Sequence, residues 1–118
     1  MDIAPFLKAI SIDKDNFQAY FNCANLYADI RNYDAAIGFY DQAIAIDQGY
    51  TKAYLNAAAL ILDREGPMIE EMNSLGTSTA DYNRYDELKI ERENLYKNAI
   101  PYLEMVYELD NQNLSAAR

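Results

Sequence analysis

The sequence predicts an all-α protein built from stacked antiparallel helix pairs, and three observations carry that expectation. In residues 17–50 small and large apolar residues alternate at helical spacing, first Ala19, Tyr20, Ala24 and Tyr27, then Tyr33, Ala36, Tyr40 and Ala43; such a pattern closes two helices tightly on one another. Between the two sets the polar Arg31 and Asn32 mark a turn. The first pattern then returns 34 residues later as Ala53, Tyr54, Ala58 and Ile61. A repeat of that period is one helix-turn-helix unit, which needs a stacked neighbour to cover its apolar face.

Taken in order, residues 3–13 read as a half repeat, a second helix without its first. Ile3, Phe6, Leu7 and Ile10 recur at helical spacing, and the large residue, Ala-Ile and Ile-Asp of FLKAISID match those of FYDQAIAID at residues 39–47. Residues 17–50 form a complete repeat, with helices expected near 17–30 and 33–46. Asn32 is placed to cap the second helix through its side-chain oxygen, Asp34 sits at the positive end of that helix dipole, and Gly49 suits a left-handed turn past its end.

Residues 51–113 form a second repeat with an insertion at about 64–81. Its first helix covers residues 51–63, and Gly66-Pro67 and the run Gly76-Thr77-Ser78-Thr79 are breakers flanking a short helix. A long helix follows from about Asp81, with Tyr85, Leu88, Leu95 and Tyr96 on a stripe that needs covering by the insertion, the preceding helix or another molecule; the intramolecular covering is favoured. Residues 99–110 align with 36–47, and Pro101 predicts a kink or break. Residues 114–118 read as the start of a further helix.

Composition narrows the function. The 118 residues include ten basic and nineteen acidic ones, a net charge of −9, which repels phosphate backbones and anionic lipid, so no nucleic-acid partner is expected. The acids read as a solvated face in preference to a dedicated docking surface. The longest apolar run is far shorter than a membrane helix, so a soluble chain without membrane insertion is expected. Cys23 is the only cysteine and histidine is absent, which removes intramolecular disulfides, histidine-based catalytic triads and thiolate-rich zinc sites. Cys23 lies between Tyr20 and Tyr27 on the apolar face and reads as a buried small hydrophobe.

Catalysis finds no support. Glu70 with Glu71, and Glu91 with Glu93, diverge around a helix. The run Gly76-Thr77-Ser78-Thr79 lacks the glycine-lysine of a phosphate loop and reads as a flexible surface connection, and Asp13 and Asp15 lack the glycine and distal glutamate of a calcium loop. No catalytic residue, cofactor or metal ligand is assigned.

Tyr20, Cys23-Ala24, Tyr27, Ala36, Tyr40, Ala43 and Gln48 occupy the signature places of the tetratricopeptide repeat, which the chain resembles over most of its length except residues 64–95. Cys, Ala and Gln replace the family's Leu, Gly and Pro. The insertion and LYKNAIPYLEMVYELD at residues 95–110 are similar to an elongated repeat of some bacterial members. The resemblance implies a right-handed superhelical stack of helix pairs and a non-catalytic scaffold that binds a peptide or protein in a concave groove. For a bacterial protein the compartment would be cytoplasm or periplasm.

Carried onto this chain, the groove places are Gln18, Phe21, Asn22, Asn25 and Asp29 on one helix and Lys52, Leu55, Asn56, Ala59 and Asp63 on the next. An asparagine amide both donates to and accepts from an extended backbone. Asn25 and Asn56 also hold two asparagine places of the family's carboxylate clamp, but Phe21 stands where that clamp has lysine, so a partner with apolar and basic side chains fits better than a C-terminal carboxylate. The second reading is a structural or self-assembling element, a homo-oligomer or part of a longer parent array, because the apolar face of residues 3–10 lacks its partner helix.

Overall fold

The computed structural model describes residues 2–116, with side chains to residue 112. Six helices make up the described chain, α1 (Ala4–Ile12), α2 (Phe17–Asp29), α3 (Tyr33–Ile46), α4 (Thr51–Asp63), α5 (Glu65–Ser74) and α6 (Thr79–Ala116). No strand is present among the described residues. Neighbours in sequence pack on one another, α1 on α2, α2 on α3 and α3 on α4, until α6 returns antiparallel along α5 and then α4. The result is a slab of 55 × 42 × 18 Å, an all-α stack of helix pairs as expected.

Small residues set the spacing. Ala24, Ala36, Ala53 and Ala57 are fully buried around Tyr40, and Phe21, Tyr27, Phe39, Tyr50 and Tyr102 pack around them. Alanine brings backbones close and the tyrosines fill the seams that remain, which accounts for the alternation of small and large residues in the sequence. Tyr27 stacks on Phe39 with ring centroids 5.4 Å apart. Cys23 is completely buried, in agreement with its reading as a core residue, and burial raises its thiol pKa.

The turns are fixed locally. Asn16 and Asn32 cap α2 and α3 by accepting from the amides of Ala19 (3.1 Å) and Ala35 (3.4 Å). Asp13 and Asp47 stand one repeat apart and behave alike, each accepting the amide two residues on, from Asp15 and Gly49. Among the described residues the left-handed one is Arg31, at φ 62°, and not Gly49. The α2–α3 connection is the tighter of the two, and its corner falls on Arg31, whose side chain is then held by Asp63.

From residue 64 onward the chain departs from the sequence reading in four respects. Gly66-Pro67 does not precede α5 but lies in its first turn, where proline's missing amide breaks no helical bond. Ser78 and Asp81 form a reciprocal cap at the start of α6, the Asp81 amide donating to Ser78 Oγ (3.1 Å) and the Ser78 amide to Asp81 Oδ2 (3.4 Å), so this connection is anchored. Helix α6 passes through Pro101 without a break. Lys97 and Pro101 both face solvent, where water can take the freed carbonyl, while Leu95, Ala99 and Tyr102 hold the helix to its neighbours. Finally, α6 continues through Leu114 to Ala116, where a new helix was expected; residues 117 and 118 lie outside the described residues.

The stripe of α6 is covered within the molecule at Leu88 and Leu95, which are buried, but not at Tyr85 and Tyr96, which stay exposed. Ion pairs complete the α5–α6 junction. Arg84 binds Glu71 through two nitrogens (2.6 and 2.9 Å), and Arg92 reaches Glu65 at 2.8 Å. Tyr96 also donates to Glu65.

Candidate functional site

Residues 18, 21 or 22, 25 and 29 share one face of α2, and residues 52, 55 or 56, 59 and 63 share one face of α4, because three- and four-residue steps return to the same side of a helix. The two faces meet at Asn25 and Asn56. Asn56 Nδ2 donates to Asn25 Oδ1 at 3.2 Å, and the Tyr40 hydroxyl of α3 donates to the same oxygen at 2.6 Å. One carbonyl oxygen thus receives two donors from two other helices. Burial pushes the Tyr40 hydroxyl up to about 12, with the nearby Asn56 amide opposing that shift and Asp29 adding to it.

This triad uses half of each amide. Asn25 Nδ2 and Asn56 Oδ1 have no protein partner among the described residues, and neither is an enclosed orphan. The Asn25 amide nitrogen and the Asn56 amide oxygen are thus left for another donor and acceptor set.

The other expected residues divide into three kinds. Gln18, Asp29, Lys52, Leu55 and Ala59 are exposed, and Asn22 is half-buried. Phe21 is no free anchor, since its ring packs against Tyr50 and Tyr40 at centroid distances of 5.0 and 5.9 Å. Asp63 is exposed but engaged by Arg31. Only Asn25 and Asn56 of the ten are joined by a direct hydrogen bond.

Two features of this region were not read from the sequence. Tyr40 was assigned to packing alone, although a tyrosine in a buried place demands a hydroxyl partner, which was the signal to look for one on α2 or α4. On the opposite side, α3, α4 and α6 enclose a cleft of about 330 Å³ floored by Ile37, Leu60 and Leu95, with Arg64 stacked over the Tyr33 ring at 4.8 Å. That cleft depends on the return of α6, which no local pattern announces. Among the described residues, no helix is long and apolar enough to cross a membrane, and no cluster of acidic and cysteine side chains could hold a metal ion.

No curated protein matches the chain. The tetratricopeptide repeat family matches residues 19–67, from the first turn of α2 into the first turn of α5. Repeats of this family generally mediate protein–protein interaction and are generally non-catalytic. Helix pairing and family match together place a tetratricopeptide repeat at residues 19–67 of this all-helical chain.

Proposed function

We propose that the protein is a non-catalytic interaction scaffold whose α2–α4 face takes an extended segment of a protein partner. The observation behind this reading is the Asn25–Asn56 pair, which holds out one donor and one acceptor at the junction of two helices. An extended backbone offers the complementary carbonyl and amide. Exposed Leu55 and Ala59 supply an apolar strip beside the pair, and Asp29 supplies negative charge. A segment carrying apolar and basic side chains suits that surface.

The test must spare Asn25, because its loss also strips Tyr40 of an acceptor. A displayed library of random peptides is selected against the wild type and against Asp29→Lys/Leu55→Glu, both at exposed positions. The expected result is enrichment of peptides with apolar and basic residues on the wild type and their loss on the variant. Peptides held equally by both proteins would place the binding surface elsewhere.

A further inference from the structure

The flank of α6 turned away from α3 carries Tyr96, Ile100, Leu103 and Tyr107, all exposed, the Tyr96 hydroxyl being held at its edge by Glu65 of α5. The α3 side of the same helix is marked by Asn98 and Tyr102, which line the cleft with Tyr33, and Tyr102 donates to Asp41 at 2.6 Å. Comparison within the chain shows what the outer flank lacks. Leu103 aligns with Tyr40, which is 2% exposed because α2 and α4 enclose it, whereas Leu103 is 41% exposed. Ile100, Leu103, Glu104, Tyr107 and Glu108 also line a shallow recess of about 410 Å³ on this flank.

The spacing of the four apolar residues identifies an occupant. They stand four, three and four residues apart, which reads the same from either end and is the seam spacing of paired helices. An antiparallel copy centred between Ile100 and Leu103 sets Ile100 against Leu103 and Tyr96 against Tyr107, every apolar residue facing another. In that register Lys97 and Glu104 flank the seam on one side, between the same two layers, so each Lys97 meets Glu104 of the second copy. Two-fold symmetry makes this ion pair twice. Parallel pairing would instead bring Lys97 toward Arg92 and Ala99 of the copy, without a complementary charge. One layer further out, Glu93 opposes Asp110 and ends the seam by like-charge repulsion.

We propose that a second copy of this chain docks on the outer flank of α6, forming an antiparallel homodimer through Tyr96, Ile100, Leu103 and Tyr107 with reciprocal Lys97–Glu104 pairs. This surface is separate from the α2–α4 face, and the two readings fail independently.

Sedimentation velocity of the full chain over a concentration series tests it, with circular dichroism recording helicity. The wild type should show a monomer–dimer equilibrium, and Leu103→Glu should be monomeric with helicity retained. Lys97→Glu should weaken the dimer on the order of tenfold, and Lys97→Glu/Glu104→Lys should recover most of that loss. Glu93→Lys, at an exposed position, should tighten the dimer several-fold by facing Asp110. A wild type monomeric throughout, as when a different protein or a following helix is the true occupant, overturns the proposal. So does a charge exchange no better than Lys97→Glu alone, or an association indifferent to Leu103→Glu.

Discussion

The hydroxyl of Tyr40 lies 2.6 Å from Oδ1 of Asn25 and joins the second helix of the central repeat to its first, while Asn56 of the next repeat donates to the same oxygen. The contact is at once a core feature and the floor of the proposed binding face. Its stability and its recognition are therefore coupled through one side chain.

Removal of the two partners should have unequal effects. Tyr40→Phe leaves Asn25 Oδ1 with the Asn56 donor and should cost about 1 kcal/mol, whereas Asn25→Ala leaves a buried hydroxyl without its acceptor and should cost about 1–3 kcal/mol. Urea unfolding with a common m-value for both variants checks the order. A larger loss for Tyr40→Phe would place the energetic weight on the phenol.

The same tyrosine predicts an alkaline limit. Its folded pKa is raised to about 12 from an ordinary value near 10, so the folded state favours the protonated phenol. The stabilisation is complete below pH about 10 and is lost as pH rises toward 12, by on the order of 2–3 kcal/mol. Tyr40→Phe should show a shallower decline of stability across that window. Parallel curves for variant and wild type would refute the assignment.

At acid pH the α5–α6 junction should loosen first. Hydrogen bonds from Tyr96 and Arg92 hold the Glu65 carboxyl below its usual range, and those from Arg84 do the same for Glu71. Because these folded pKa values are depressed, the contribution is present above the ordinary carboxylate pKa and disappears as pH falls through the lower folded values. Amide hydrogen exchange should show α5 losing protection before α2 and α3 as pH is lowered, and Arg84→Met should lose α5 protection already at neutral pH.

Cys23 should resist modification until the fold opens. It has no exposed surface, and burial raises its pKa, so little thiolate is available and none is accessible. A thiol reagent should react in urea at the rate of a free cysteine and in buffer only through unfolding. Rapid labelling of the native protein would contradict the burial.

Helix α6 begins at a cap that should be measurable. Ser78→Ala removes the acceptor of the Asp81 amide and should cost about 1 kcal/mol, comparable to Asn32→Ala at the start of α3. Thermal unfolding of both variants checks this. An unaffected Ser78→Ala would return this connection to the status of a loose loop.

The sequence by itself determined the helix pairs, because helical periodicity, alanine–tyrosine alternation and the 34-residue period are local or nearly local properties. It also determined the cap at Asn32, the burial of Cys23 and the ends of α4. The Ser78–Asp81 cap was legible too, as a serine followed three residues on by an acid, but the surrounding glycine and threonine masked it. Only tertiary structure decided the rest. Pro101 stays helical because neighbouring residues are held across two other helices and its own side faces water. Phe21 leaves the binding face because Tyr40 and Tyr50 offer its ring an apolar seat. Asn25 and Asn56 lie 31 positions apart, and which of their polar atoms remain free depends on a tyrosine from a third helix. A hydrogen bond between distant elements is a property of the packed chain, so the local pattern can name its candidates but not choose among them.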